Sequence, residues 1–395
     1  MSRVSPPGHS VVAAPVTSQP LADLIAHEIR TCGGWIPFER FMHLALYAPG
    51  LGYYSGGRRV IGHLPQDGSD FVTAPEMTPL FGELLARQLN EALEATGTTQ
   101  LWEFGAGSGA LACSLLAAMG DRIERYTIVE VSGALRDRQH ARLQREQPEL
   151  AHKVVWADAL PDQFEGVLVG NEVLDAMPVD LLCWDGQQWL ARGVSLGEPA
   201  SDGATRFAWA DRPAPTGTRP PTERDDLEFA PGTVVETHAQ GEAFIRTLAA
   251  SLTRGAAFFI DYGFPESEYY HPQRTGGTVM CHHAHTSDPD PLVGVGEKDI
   301  TAHVNFTGVA LAGQDAGWEV LGYTSQGRFL ANCGLIDAMT RLSGQVDAAN
   351  IRAQSALSKL VADHEMGELF KVIGFVKGPW FEAMGFRAGD RSHML

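Results

Sequence analysis

A glycine-rich turn beside an acidic residue is the feature of this sequence most clearly suited to ligand chemistry. Glu103 precedes three glycines at alternate positions, Gly105, Gly107 and Gly109, between an apolar run and a stretch with helical spacing. Glycines at such a turn let the backbone approach a ligand where a Cβ atom would collide. The turn predicts a nucleotide or nucleoside site, although a plain strand-to-helix turn could carry the same residues.

Two classes of cofactor use this geometry, and Glu103 favours one of them. The spacing from Gly105 through Gly107 to Ala110 satisfies the G-x-G-x-x-G/A pattern of dinucleotide-binding folds. Class I methyltransferases have an acidic residue before G-x-G-x-G, and the Glu103 carboxylate can receive the ammonium group of S-adenosylmethionine. A pyrophosphate would be repelled by a carboxylate so near. The pattern therefore favours S-adenosylmethionine over NAD.

Two further acids follow the next predicted strands. Glu130 ends the second strand, roughly twenty residues after the glycines, where a carboxylate can bind both ribose hydroxyls. NAD enzymes use the same contact, so Glu130 indicates a nucleoside without choosing the cofactor. Asp158 follows the third strand, where it could accept from the adenine amino group or cap a helix.

A polar cluster follows the fourth predicted strand. Asn171, Glu172 and Asp175 stand in the segment GNEVLDAMPV, and strand ends of such sheets line the ligand crevice. Methyl transfer mainly requires positioning. If the acceptor is a guanidinium group, carboxylates can bind its planar fork and assist its proton loss. These residues are therefore candidates for handling the acceptor, with helix capping the alternative role for Asp175.

The elements that must position these residues alternate between strand and helix patterns. Short apolar runs separated by helical stretches predict βαβ units and an α/β fold with a doubly wound, Rossmann-like parallel sheet. Strands are predicted at 100–104, 126–131, 153–156, 166–170 and 256–260, with 318–323 as a closing antiparallel strand. Apolar spacing predicts earlier helices at 21–32, 37–47 and 79–95.

Composition shifts divide the chain into four parts. We expect a flexible tail at 1–20, an N-terminal helical lid region at 21–97, a core at 98–330 and a C-terminal helical extension at 331–395. The core carries an insertion at about 180–232, where the pattern breaks and proline, aspartate and alanine accumulate. We expect this insertion to be partly mobile and to begin with a hairpin turning at Asp185 and Gly186.

Composition and charge exclude several classes of protein. Hydrophobic residues make up 44% of the chain, which is typical of a globular fold. The 30 Lys and Arg against 48 Asp and Glu give a formal charge of −18, so we expect no nucleic-acid partner. No long apolar run predicts a membrane span. Five scattered cysteines and the lack of a targeting pattern predict a reducing, cytoplasmic location.

Beyond these residues, the chain resembles the MidA family of class I S-adenosylmethionine-dependent methyltransferases. The resemblance covers nearly the whole of 36–372, with the motifs in the expected order. The first two motifs and the ITAHV segment are particular to that family. The matching segments are FERFMHLALYAPGLGYY, SDFVTAPEMTPLFGELLARQL, LWEFGAGSGAL, IVEVSGALRDRQ, VGNEVLDAMPV, FIDYG, DITAHVNFT and MGELFKV.

The resemblance implies a fold, a cofactor and an acceptor. It implies a class I fold, S-adenosylmethionine as methyl donor and symmetric dimethylation of arginine in a protein acceptor, such as a subunit of respiratory complex I. It also implies that His303 orients the substrate and that part of the DFVTAPE segment lies beside the cofactor. The residues implied there are Asp70, Thr73, Pro75 and Glu76.

Several alternatives stay open at this point. A catalytically weak assembly factor that binds the cofactor, or a methyltransferase of small molecules, would carry the same motifs, and a homodimer is also consistent with the sequence. Asn305 stands where relatives usually have aspartate, which would weaken activity if that carboxylate took part in chemistry. Cys281, His282, His283 and His285 suggest metal binding, but adjacent histidines rarely face one ion, so we predict no metal.

Overall fold

The computed structural model describes residues 17–56, 72–198, 204–343 and 348–395. Within these ranges, no helix has the length and apolar character that crossing a membrane requires. The helices, α1 to α13 in chain order, are Gln19–Thr31, Phe38–Tyr47, Ala74–Met77, Pro79–Thr96, Ala110–Met119, Gly133–Glu146, Ala239–Ser251, Glu266–Tyr269, Phe306–Asp315, Gln326–Asn332, Leu335–Ser343, Ala348–Val361 and Met366–Leu369. The strands, β1 to β16, are Ile36–Pro37, Gln100–Phe104, Arg125–Val129, Val154–Ala157, Phe164–Asn171, Asp180–Trp184, Trp189–Leu196, Phe207–Pro213, Val234–Thr237, Leu252–Phe264, Met280–His283, Thr286–Asp288, Asp299–Thr301, Val304–Asn305, Glu319–Ser325 and Phe370–Lys377.

A central sheet with the strand order β15-β16-β10-β5-β2-β3-β4 forms the middle layer. The strands from β10 to β4 are parallel, and β16 lies antiparallel between β10 and β15. Of the strands in this sheet, β2 comes first in the chain and has neighbours on both sides. The strands β3 and β4 follow on one side, and β5 and β10 follow on the other, so the predicted doubly wound fold is confirmed. The antiparallel β16 distinguishes this order from the 3-2-1-4-5-6 order of dinucleotide-binding sheets.

Helices cover both faces of the central sheet, which explains why its strands are apolar throughout. Val167, Leu168 and Val169 in β5 are all fully buried although successive side chains point to opposite faces. Val167 and Val169 join a core built with α4, α5 and the helices after β15. Leu168 joins a separate core with α7 and α9 on the other face. The sheet, buried on both faces, thus holds the ends of its strands in fixed positions.

The C-terminal region differs from the prediction of a helical extension at 331–395. Helices α11 and α12 lie there, and α13 is a short turn, but Phe370–Lys377 is a strand. The helical prediction is therefore wrong for this segment. Its apolar run is short enough to suit a buried helix or a buried strand. Residues 370–377 form a strand because they pair with β10 and β15, which are distant in sequence.

A second, antiparallel sheet occupies the predicted insertion and extends past it. Strands β6, β7, β8 and β9 pair in it together with β1 from the N-terminal region. The predicted hairpin is confirmed, because Trp184 pairs with Trp189 across the turn at Asp185 and Gly186. Residues 199–203, within the part expected to be mobile, lie outside the described ranges.

The N-terminal region divides between two cores. Helices α1 and α2 pack against the second sheet and the strand β13, in a core that includes Ile25, Phe41, Leu181, Val194 and Ile300. Helix α4 packs instead against α5 and the central sheet. The predicted tail at 1–20 falls mostly outside the described ranges, and α1 begins at Gln19. This arrangement places α2 and the segment after it on one side of the strand ends.

Candidate cofactor and acceptor site

A cavity of about 860 Å³ lies at the carboxyl ends of β2, β3, β5 and β10. Open α/β sheets bind ligands at this edge, and the volume suits a small-molecule site. The predicted site residues that line it are Thr73, Pro75, Glu103, Gly105, Gly107, Glu130, Asn171, Glu172, Asp175 and His303. Gly109, Glu76 and Asp158 are not among its lining residues. Asp70 lies outside the described ranges.

The three glycines of the turn have different surroundings. A Cβ atom on Gly105 would lie 2.6 Å from Cγ2 of Val173, so this glycine lets the loop after β5 approach. Gly107 has a φ of 52° and lines the cavity itself. Gly109 precedes α5, where a Cβ atom would lie 3.4 Å from Cα of Gln139 in α6. The backbone beside Gly107 is therefore the part of the turn that is open to a ligand.

Glu103 is a buried carboxylate at the base of this turn. Its Oε2 accepts a 2.6 Å hydrogen bond from the Tyr126 hydroxyl. Burial raises the pKa of Glu103 to about 7, and the hydrogen bond from Tyr126 opposes that shift. Ala110 and Leu111, the first residues of α5, line the same cavity, and the N-terminus of a helix favours an anion. Together these groups can hold the ammonium and carboxylate ends of one amino acid.

Glu130 lies directly after β3 with its carboxylate fixed by local donors. The backbone N–H of Ser132 donates to Oε1 over 2.8 Å, and the Gln139 side chain donates to Oε2 over 3.4 Å. Burial raises the pKa of Glu130. This placement fits a contact with ribose hydroxyls.

Asp158, the acid predicted to contact adenine, is not brought to the cavity. Its side chain is 81% exposed and forms an ion pair with Arg136 of α6. Arg136 also donates to the backbone oxygen of Glu130. The carboxylate of Asp158 is therefore held by an arginine at the surface beside Glu130.

The segment implied to lie beside the cofactor is tied to the glycine turn. Thr73 and Pro75 line the cavity. Glu76 is buried just behind them and accepts hydrogen bonds from the Ser108 hydroxyl and from Arg142, the latter over 2.7 Å. Arg142 also donates to Ser108 over 2.7 Å. Glu76 thus joins this segment to the turn and to α6 rather than facing the cavity.

The loop after β5 brings the acceptor candidates together. Glu172 has a φ of 53°, a conformation uncommon for residues other than glycine. Its carboxylate accepts from the Asn171 side chain over 2.9 Å and from the backbone N–H of Ala74. Burial and the nearby carboxylate of Asp175 raise the pKa of Glu172 to about 8. Burial also raises the pKa of Asp175, whose Oδ2 accepts from Tyr262 over 2.6 Å.

Asp261 anchors this loop and was not predicted from the sequence. Its Oδ2 accepts from the backbone N–H groups of Val173, Leu174 and Asp175 at 3.1, 2.9 and 3.2 Å. The residue is buried in β10. A carboxylate that accepts several backbone N–H groups fixes the loop in one conformation. The FIDYG segment marked this position, but nothing in its spacing indicated backbone donors.

His303 lines the cavity as a neutral side chain. Burial lowers its pKa to about 4, and its ring stacks on Phe264 at 5.3 Å between centroids. Among the described residues, no group bonds its Nδ1. Its backbone N–H donates to Thr278 over 3.1 Å, which fixes the segment beside the cavity.

Asn305 does not line the cavity and has a structural role. Its side chain accepts from the backbone N–H of Gly308 over 3.3 Å and so caps the N-terminus of α9. Asparagine and aspartate are equally good caps. The replacement of the usual aspartate is therefore compatible with an active site.

Residues of the three-stranded sheet β12-β11-β13 form a wall of the cavity and were not among the predicted site residues. Met280, His282, Asp299 and Thr301 line the cavity from this sheet. Tyr47 and Tyr54 line it from α2 and the segment after it. The DITAHVNFT motif contained Asp299, but its contact with a tyrosine nearly 250 positions earlier could not be read from spacing.

The described residues that line the cavity are acidic in their balance of charge. Its lining includes the carboxylates of Glu103, Glu130, Glu172, Asp175 and Asp299. Among the described residues that line it, none is lysine or arginine. Buried charges require opposite charges or hydrogen-bond donors as partners. The cavity is therefore suited to ligands that bring positive charge with them.

A family model described as "Putative S-adenosyl-L-methionine-dependent methyltransferase" matches residues 84–324. A Caenorhabditis elegans protein named protein arginine methyltransferase NDUFAF7 homolog, mitochondrial, is 27% identical over 369 residues, which cover 86% of this chain and 81% of that protein. The human protein arginine methyltransferase NDUFAF7, mitochondrial, is 27% identical over 397 residues, covering 92% and 84%.

Solved structures with a similar fold come from Burkholderia thailandensis. One, bound to S-adenosylhomocysteine, has a TM-score of 0.86 and 48% identity, covering 95% of this chain and 96% of that chain. A native crystal structure has a TM-score of 0.83 and 47% identity, with the same coverage. Nearly the full length of this chain is thus similar to solved structures.

Proposed function

This chain belongs to the family of S-adenosylmethionine-dependent methyltransferases, and we propose that its methyl acceptor is an arginine side chain of a protein, with symmetric dimethylation as the product. The predicted class I fold and the predicted cofactor are confirmed by the family match and by the solved structures. The relatives named protein arginine methyltransferases support the proposed acceptor at 27% identity. The charge of the cavity supports it independently.

The observation that carries the proposal is the grouping of the carboxylates. Glu172 lies close enough to Asp175 and Asp299 for both to raise its pKa, whereas Glu103 owes its raised pKa to burial alone. The cavity thus has one carboxylate for the donor's ammonium group and a separate set of three. Within that set, Glu172 and Asp175 accept hydrogen bonds from neutral groups, and among the described residues neither has a positively charged partner. A guanidinium group, planar and always charged, supplies one.

The residues of the second set would position the acceptor and take its proton. Bound S-adenosylmethionine supplies a methyl group on a positively charged sulfur. Glu172 and Asp175 can each accept N–H groups of a guanidinium fork and orient one nitrogen for in-line attack. Transfer would form the new N–C bond as the methyl–sulfur bond breaks, with neutral S-adenosylhomocysteine as the leaving group, and the nitrogen would lose a proton. The pKa of Glu172 is about 8 in the absence of an acceptor, and a bound guanidinium cation would lower it, so that the ionised carboxylate can accept this proton.

Neutral groups complete this end of the cavity. His303 carries no charge near neutral pH because its pKa is lowered to about 4, so it does not repel a cationic acceptor. Tyr262 holds Asp175 in place through its 2.6 Å hydrogen bond. The uncommon backbone conformation of Glu172, and the three hydrogen bonds that Asp261 accepts from residues 173–175, keep the carboxylates fixed before the acceptor arrives.

Transfer of a radioactive methyl group tests the acceptor. The purified protein is incubated with methyl-tritiated S-adenosylmethionine and with protein extracts, including subunits of respiratory complex I, and labelled sites are mapped by mass spectrometry. We expect label on arginine, as monomethyl and symmetric dimethyl forms. Label on small molecules alone would contradict the protein acceptor. Cofactor binding with no label in any fraction would indicate an assembly factor instead.

Binding of the methyl donor should weaken in acid. Glu103 has a pKa of about 7 in the free protein because it is buried, so it is mostly protonated below that pH. An ammonium group binds the ionised carboxylate, and the proton must then be released. Affinity for S-adenosylmethionine should fall roughly tenfold per pH unit below about pH 7. Calorimetric titrations between pH 5.5 and 7.5, in buffers of different ionisation heat, measure both affinity and proton release.

The matched variant for this prediction is Glu103→Gln. It should bind the donor weakly at all these pH values and release no proton, because the titrating group is absent. An affinity in the unsubstituted protein that stays constant from pH 5.5 to 7.5 would contradict the role of Glu103.

A further inference from the structure

Two tyrosines from different elements are bonded to neighbouring residues of the loop after β5. The Tyr47 hydroxyl, at the end of α2, donates to the backbone oxygen of Ala176 over 2.8 Å. The Tyr262 hydroxyl, on β10, donates to Oδ2 of Asp175 over 2.6 Å. Both tyrosines line the cavity. Their rings therefore lie close to the carboxylate of Asp175, one on the side of α2 and the other on the side of the central sheet.

The ring of Tyr47 is held in place and remains partly accessible. It stacks on the ring of Tyr54 at 5.6 Å between centroids, with 23° between the planes, and lies 5.8 Å from the ring of His43. The side chain is half-buried and lines the cavity. Because Ala176 already uses the hydroxyl proton, what Tyr47 offers to a ligand is chiefly its aromatic ring.

Acidic groups of the cavity surround this ring. Burial, followed by the charges of Asp299, Asp175 and Glu130, raises the pKa of Tyr47. Glu130 lies at the end of the cavity that fits the ribose, and Asp175 belongs to the set proposed for the acceptor. Tyr47 is thus close to both ends. The π electrons of a ring and nearby carboxylates attract a cation together, so this place favours a positively charged group.

A guanidinium group can use a ring and a carboxylate at the same time. Its edge carries N–H groups that bind carboxylate oxygens, and its flat face stacks on aromatic rings. Asp175 offers the carboxylate, and Tyr47, bonded to the next residue of the loop, offers the ring. A neutral side chain of the same shape would be attracted less strongly by both.

From these contacts we infer that Tyr47 is a binding residue for the acceptor, whose ring stacks on the guanidinium cation while Asp175 binds its edge, and that Tyr47 thereby selects cationic over neutral side chains. The inference rests on the proposed function, because it requires arginine as the acceptor. It adds a contact from α2, outside the central sheet, to those that the loop after β5 supplies.

The test compares two peptides on protein saturated with S-adenosylhomocysteine. One contains the arginine labelled in the transfer experiment, and the other has citrulline, a neutral side chain of the same shape, at that position. Tyr47→Phe keeps the ring and loses the bond to Ala176, whereas Tyr47→Leu and Tyr47→Met lose the ring as well. We expect the two variants without a ring to lose about tenfold of the preference for arginine over citrulline, and Tyr47→Phe to lose less than about threefold.

Two controls accompany these measurements. Trp380→Leu removes an exposed ring that is not among the lining residues of the cavity, so it should keep the full preference. Affinity for S-adenosylhomocysteine should stay within about threefold in every variant, and thermal unfolding shows which variants have folded. Tyr47→Phe keeps the inference open to contradiction even where a variant without the ring does not fold, because a tenfold loss in Tyr47→Phe would assign the preference to the hydroxyl.

The outcomes separate this inference from the proposed function. If the unsubstituted protein labels arginine but the variants without a ring keep the full preference, the inference is wrong and the proposed function stands. The inference is also wrong if Tyr47→Phe loses as much preference as those variants, or if they weaken binding of both peptides equally. If the unsubstituted protein labels no arginine at all, the proposed function fails, and the inference fails with it.

Discussion

Replacing Gly107 with valine should abolish binding of S-adenosylmethionine while the protein still folds. The backbone at Gly107 lines the cavity with a φ of 52°. A valine side chain there would occupy the space of the ligand, and a branched residue is strained in this conformation. We expect affinity to fall by ~100-fold or more, because 2.7 kcal/mol of lost contact already gives that factor. Isothermal titration with S-adenosylmethionine measures it.

A second glycine supplies the control for backbone strain. Gly217 also has positive φ, 85°, but a Cβ atom there would meet nothing within 4 Å. Gly217→Val carries a similar conformational cost outside the cavity, so it should bind the donor normally. Thermal unfolding of both variants shows whether each has folded. Normal donor binding by a folded Gly107→Val would show that the ligand does not approach this turn.

Replacing Glu172 with glutamine should remove most of the transfer rate while leaving donor binding intact. The substitution keeps the shape of the side chain but removes the charge that orients the acceptor and receives its proton. Loss of a general base typically lowers the rate by about 10²–10⁴-fold. Single-turnover methyl transfer measures the rate, and calorimetry with S-adenosylmethionine measures binding.

The control for this substitution lies on the same strand. Glu165 stands near the other end of β5, in a surface ion pair with Arg254 at 2.9 Å. Glu165→Gln should leave both the rate and donor binding unchanged, because exposed ion pairs contribute little. A Glu172→Gln variant with the transfer rate of the Glu165→Gln variant would exclude Glu172 from the reaction.

Features set by local sequence could be predicted. One short stretch of sequence contains the strand 100–104, the glycine turn after it and the helix from Ala110. Its apolar pattern and its glycines were therefore enough to predict all three. The sequence could also place Glu103, Glu130 and Glu172 at one site, because the carboxyl ends of parallel strands meet at one edge of the sheet. Position alone does not give the direction of a side chain. Asp158 also follows a strand, but Arg136 holds it at the surface.

Features set by distant contacts could not be predicted. Phe370–Lys377 looked helical because its strand partners, β10 and β15, are far from it in sequence. The insertion became an ordered sheet partly because Ile36 and Pro37 pair with Val194 and Gly193. Asp261 and Asp299 stand in the FIDYG and DITAHVNFT segments, but neither segment gave a local sign of the contacts these residues make. Their roles come from backbone amides and a tyrosine supplied by other parts of the chain.

The position of β16 also bears on how the chain folds as it is synthesised. This strand fills the gap between β10 and β15, yet it is translated after both. Until residues 370–377 leave the ribosome, the hydrogen-bonding edge of β10 has no neighbour there, and the nascent sheet presents an open edge. Unpaired edges invite association between chains. The late strand therefore covers this edge of β10 only once residues 370–377 have been synthesised.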